Sequence, residues 1–207
     1  LLLGVSVYKT LKDILYNRTE NTLVADEGGF SPSLQTNQAG LLLLKESIEK
    51  SGSSFLLDAF LGLDVAANFF LDGKTYKLID RATSYTSDDL VDFYQSLLTE
   101  FALIYIEDPF AEDDLEGWRK LYSAVGDKTL IVGDDLITTN PYRLQMALNN
   151  KIVGGIIVKP NQIGTITEAI AVAEIARYKG LKIIVSHRDG ETMDDFIADF
   201  AVGIGAD

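Results

Sequence analysis

Asp64, Glu107, Asp134, Lys159 and the pair His187–Arg188 each close a short apolar run: FLLDAFLGLD, FALIYIED, TLIVGDD, GGIIVK and KIIVSHR. Three carboxylates in that order supply the oxygen ligands that a hard divalent cation such as Mg2+ takes. A lysine ending an apolar strand is partly desolvated, and desolvation together with a nearby cation depresses an amine's pKa, leaving a base able to take a proton from carbon. Each residue also has a plainer reading. An acid at a strand end commonly caps the next helix, and a lysine there commonly just pairs with acids. Asp135 competes with Asp134 for the inward position, because neighbours on a strand face opposite ways. His187 is the chain's single histidine, and a lone histidine is usually a satisfied core residue. Arg188 has the paired donors that grip a carboxylate or phosphate. Asp26-Glu27-Gly28-Gly29 reads by itself as a turn, in which a partly buried Glu27 would keep its proton and serve as a general acid.

Apolar runs this short, rich in Ile, Val and Leu, suit parallel strands covered on both faces. From Glu107 onward the strand ends recur every 25 to 30 residues or so, room for one strand, one loop and one helix. The intervening segments supply the helices. QTNQAGLLLLKESIEKSG stops at Gly52, Ser87 opens DDLVDFYQSLLTEF, Pro141 sits early in TNPYRLQMALNNK, and Thr165 with Glu168 forms a capping-box pattern ahead of EAIAVAEIARYKG. Asp72-Gly73 predicts a hairpin turn inserted after the first strand. Alternating strand and helix gives right-handed crossovers and a parallel sheet. A doubly wound open sheet competes, but its glycine-rich nucleotide fingerprint is absent. The expectation is therefore an α/β fold of the TIM (β/α) barrel type, whose strand C-termini share the one rim where active sites are built.

With 207 residues, the chain is one domain and falls short of the roughly 250 residues of a complete eight-fold barrel. It opens inside an amphipathic helix and closes on FAVGIGAD, where a strand-like run barely begins; the expectation is a partial barrel, residues 1–207, cut from a longer protein. A formal net charge of −13 argues against nucleic acid or an anionic membrane surface as partner. It also means that an anionic substrate needs a bound cation and the few rim cations. The absence of cysteine removes disulfides and thiolate metal sites. No apolar stretch reaches the roughly 18 residues that read as a membrane span, so the expected location is cytoplasmic.

The strings VADEGGFSP, GLDVAANFF, YIEDPFAEDD, VGDDLITTNP, VKPNQIGT and VSHRDGETMDDFIADFAVG, taken together and in this order, resemble the enolase (phosphopyruvate hydratase) family along essentially the whole chain. That resemblance implies Mg2+-dependent, reversible dehydration of 2-phosphoglycerate to phosphoenolpyruvate in glycolysis, in a parent protein that is a homodimer. It implies Asp64, Glu107 and Asp134 as metal ligands, Lys159 as the base and Glu27 as the general acid. Glu107, Asp134, Ser186, His187 and Arg188 would contact substrate, Arg188 through the phosphate. The family's N-terminal capping domain and last barrel strand lie outside these residues. Asp189 stands where the family usually has serine, placing a carboxylate near the phosphate. Two other readings stay open: a catalytically impaired relative serving as a binding or assembly module, and a dehydratase of non-phosphorylated acids that has little need for Arg188.

Overall fold

The structure, a computed structural model, describes residues 1–79, 81–188 and 192–207. Polar residues start its helices by accepting hydrogen bonds from N–H groups that the first turn leaves unpaired. α1 (Leu2–Asn17) packs along α2 (Asn37–Lys50), which begins where Thr36 accepts from the Ala39 N–H. Asp114 accepts from the Gly117 N–H at the head of α4 (Leu115–Val125), and Asn140 does the same for Tyr142 and Arg143 ahead of α5 (Pro141–Asn150). Thr165 caps α7 (Ile166–Tyr178) through the Glu168 N–H, as the pattern predicts. Ser87 is not the cap of α3 (Ser87–Phe101). Thr86 takes the extended conformation and forms the full box with Asp89, which frees the Ser87 hydroxyl to donate to Asp114 at 2.6 Å.

Between these helices run β1 (Gly62–Asp64), β4 (Tyr105–Glu107), β5 (Leu130–Gly133), β6 (Gly155–Val158) and β7 (Lys182–Val185). They form one parallel sheet in the order β1-β4-β5-β6-β7. Spatial order follows chain order with no reversal. That is how a singly wound barrel grows, whereas a doubly wound sheet turns back at a switch point. The strands are short of the predicted runs. In Phe55–Asp64 only the last three residues are strand, because the Asp58 carboxylate accepts from the Ser54 N–H at 2.8 Å and its own N–H donates to the Ser54 carbonyl. The predicted hairpin forms as β2 (Leu71–Asp72) and β3 (Thr75–Tyr76), with Gly73 at φ +66 supplying the left-handed turn. Four-residue α6 (Pro160–Ile163) follows β6, and α8 (Phe196–Gly203) occupies most of the C-terminal segment. Past α8, the Asp207 N–H donates to the Ile183 carbonyl and its carboxylate accepts from the Ile183 N–H, which extends pairing along the β7 edge.

One contiguous core holds the sheet against its helices, with Ile106, Ile131, Ile156 and Val158 of the strands meeting Trp118, Leu121, Leu144 and Val172 of the helices, all fully buried. The chain is tight around Gly117. A Cβ there would lie 2.6 Å from a Phe110 ring carbon and 2.8 Å from an Asp114 carboxylate oxygen. Neither neighbour can yield: Phe110 is buried, and Asp114 is pinned by the Tyr76 and Ser87 hydroxyls. Overpacking costs about 1–3 kcal/mol, against roughly 1 kcal/mol of helix propensity that alanine would return. Gly117→Ala should therefore lower the urea midpoint of unfolding by an amount equivalent to as much as about 2 kcal/mol. A midpoint that rises would show that the helix has room.

Candidate active site and metal centre

The C-terminal ends of β1, β4, β5 and β6 bring Asp64, Glu107, Asp134 and Lys159 to one rim. Asp64 and Glu107 are direct register partners across β1 and β4. Asp134 is the first residue beyond β5 and Lys159 the first beyond β6. Lys159 turns inward: its Nζ donates to Asp134 Oδ2 at 2.5 Å, with both side chains at least 86% covered (14% and 12% exposed). The two readings of this lysine thus meet in one observation, since it is an acid's partner and also sits within the acid cluster. Asp135 accepts from the Asn68 amide at 3.2 Å, whereas Asp134 is the one that pairs with Lys159.

The acids feel one another. Burial pushes Glu107 up to about 7, with repulsion from Asp64 and Asp134 adding to it. Asp64 is open at the rim but its carboxyl is hemmed in; that burial raises its pKa, and Asp134 and Glu27 contribute repulsion. Glu27 therefore lies near enough to Asp64 to repel it, and is itself exposed. It is carried there by a tight turn, in which Val24 bridges Phe30 and Gly28 takes φ +86.

Asp108, which sequence reasoning passed over, shapes this rim. It is buried, holds φ +40, and its two carboxylate oxygens accept from the N–H groups of Asp134 (2.9 Å) and Asp135 (2.7 Å). Burial pushes its pKa up to about 7 as well. Among the described residues, oxygens of Asp108, Asp134 and Asp135 lie within 4.8 Å of one another, a group that could hold a cation. Asp108 already spends both oxygens on backbone, so it fixes the turn that presents Asp134. Thr139 plays the matching part for the lysine: its buried hydroxyl accepts from the Lys159 N–H at 2.8 Å and donates to Gln162 at 2.9 Å. The only sequence signals for these two were an acid directly after Glu107 and the polar string following Asp135.

The next strand brings the remaining candidates. The Ser186 N–H donates to the Val158 carbonyl, which places Ser186 level with Lys159 across the β6–β7 pair, and His187 and Arg188 follow it. Ser186 and Arg188 line a cavity of about 560 Å3 that begins one residue past the lysine, at Pro160, and continues along Asn161 and Thr165. His187 is exposed rather than a core residue. Asp189 lies outside the described residues.

All 207 residues match the family described as "Enolase, C-terminal TIM barrel domain". The chain belongs to that family. As an enolase-family barrel it is one of a group whose sites work on small molecules, and the five-stranded parallel sheet is the part of such a barrel that carries this rim. Among the described residues no helix is long and apolar enough to cross a membrane. The rim fits a divalent cation on its own chemistry. Its donors are all carboxylate oxygens, as Mg2+ prefers, and Asp134 Oδ1 is buried with no hydrogen-bond partner. A buried charged oxygen left without a donor costs free energy, and a bound cation would satisfy it.

Proposed function

We propose that this domain is the catalytic barrel of a phosphopyruvate hydratase, which reversibly dehydrates 2-phosphoglycerate to phosphoenolpyruvate with Mg2+. The observation that carries this reading is an amine buried against strand-end acids, one of which keeps an unpartnered oxygen. Asp64, Glu107 and Asp134 would hold Mg2+, which when bound stabilises the negative charge that gathers on the substrate carboxylate. Lys159 Nζ removes the proton from the carbon bearing the carboxylate, and the released electron pair moves onto that carboxylate. As the pair returns to form the carbon–carbon double bond, the bond to the neighbouring hydroxyl breaks, and Glu27 gives the proton with which it leaves as water. Ser186, His187 and Arg188 hold the substrate across the adjoining cavity, Arg188 by the paired donors suited to a phosphate. Asp108 and Thr139 keep the carboxylate and the amine within a near-attack geometry, where small displacements cost large factors in rate. A cytoplasmic glycolytic role and a homodimeric parent protein belong to the same proposal.

The test uses the full-length protein with 2-phosphoglycerate and Mg2+. Absorbance of the enol product should grow with time and stop when the metal is chelated. Mg2+ binding without product formation would support instead a binding or assembly module whose site no longer turns over.

A further inference from the structure

Tyr105 lies two residues before Glu107 on β4, and the strand period of two puts both side chains on one face. Its phenol donates to Glu107 Oε2. The ring has room only because its register partner on β1 is glycine: a Cβ on Gly62 would lie 3.2 Å from the Tyr105 Cβ and 3.3 Å from a ring carbon. Gly62 stands in turn two residues before Asp64, and the charges of Asp64 and Asp134 reach the phenol as well. A hydroxyl has one hydrogen to give, and here it is given to Glu107 Oε2.

We propose that Tyr105 is a positioning residue for the cation site: it engages Glu107 Oε2 and leaves Oε1 as the oxygen presented at the rim. This rests on the reading of Asp64, Glu107 and Asp134 as the Mg2+ ligands. A carboxylate that can swing between one- and two-oxygen contact is a poor match for the near-ideal octahedral shell that Mg2+ demands. Partners that orient a ligand typically carry 10–100-fold in metal affinity.

Calorimetric titration of the full-length protein with MgCl2, without substrate, separates the possibilities. Tyr105→Phe keeps the ring over Gly62 and removes only the hydroxyl. It should raise the Mg2+ Kd about tenfold with a melting temperature in EDTA close to that of the unsubstituted protein. A Kd within threefold of the parent value would overturn the proposal and reduce Tyr105 to packing, with the Mg2+ site intact. Failure of the unsubstituted protein to bind Mg2+ at all would overturn the ligand assignment along with it. Should Tyr105→Phe lower the EDTA melting temperature markedly, Gly62→Ala gives the second reading. Its Cβ would lie 3.2 Å from the Tyr105 Cβ, so the ring must give way and the retained hydroxyl shifts with it; Mg2+ binding should weaken, and unchanged affinity there would sink the proposal too.

Discussion

Lys159→Ala should lower kcat for 2-phosphoglycerate dehydration by at least about 10^3-fold, at the upper part of the range for loss of a general acid or base, while Mg2+ still binds. The direction of the metal effect follows from charge. Removing the ammonium takes away the cation that Asp134 Oδ2 now contacts at 2.5 Å, so the cluster becomes more negative and should hold Mg2+ as tightly as before or more so. Turnover assays and calorimetry on the same variant check both halves. Parallel loss of activity and Mg2+ affinity would make the lysine a structural partner of Asp134 and remove it from the chemistry. The effect is large because, among the described residues, neither neighbouring base replaces it: Arg188 stays protonated in proteins, and His187 lies on the adjacent strand end, exposed.

Mg2+ should raise the melting temperature strongly at pH 8 and weakly at pH 5.5. Glu107 and Asp108 are both pushed up to about 7 by burial, and Asp64 is raised for the same first cause. Their unfolded values lie near 4. Between about pH 4 and 7 the folded protein therefore holds protons that the unfolded chain has released, and in the absence of metal its stability falls as pH rises through that window. A cation binds the deprotonated ligands, so binding at pH 7 releases protons and weakens as pH drops. At a hundred times its Kd a ligand adds about 2.7 kcal/mol, which should appear in full at pH 8 and shrink toward pH 5.5. Carboxylates held below their ordinary range, such as Glu46 beside Lys50 and Asp207 beside Lys182, lose their contribution only below this window and do not mask the trend. Thermal melts at the two pH values, with EDTA and with Mg2+, test it. A metal-induced shift that is the same at both, or larger at pH 5.5, would contradict the assignment of Glu107 as a ligand.

Several of these features were legible in the residues themselves. Asp64, Glu107, Asp134 and Lys159 announce themselves because an apolar strand that ends on a charge leaves that charge at the sheet's C-terminal edge, and parallel order then collects such edges. Thr165 and Pro141 announce helix starts because capping is local chemistry. Ser87 misled because two hydroxyls stand side by side, and Thr86 is the one that closes the box with Asp89, which leaves Ser87 to donate to Asp114. Asp58 shortened the first strand by bonding back to Ser54, a contact that hydropathy does not register. Asp108 and Tyr105 were hidden for a different reason. Their partners, the Asp134 and Asp135 amides and the space above Gly62, lie on neighbouring strands, so register had to be known before their roles could be read. Glu27 carries no local signal beyond a glycine turn, which made it a candidate acid only on the condition of burial. Its influence on Asp64 is a tertiary fact.

On the proposed reading, an amine held among metal-binding carboxylates takes a proton from carbon. Incubating the full-length protein and Mg2+ with 2-phosphoglycerate in D2O, and following the proton on the carbon next to the carboxylate by NMR, tests it most directly. Deuterium should enter that position in the unsubstituted protein, and Lys159→Ala should abolish its entry. No incorporation by protein that has bound Mg2+, or equal incorporation in both proteins, would contradict it.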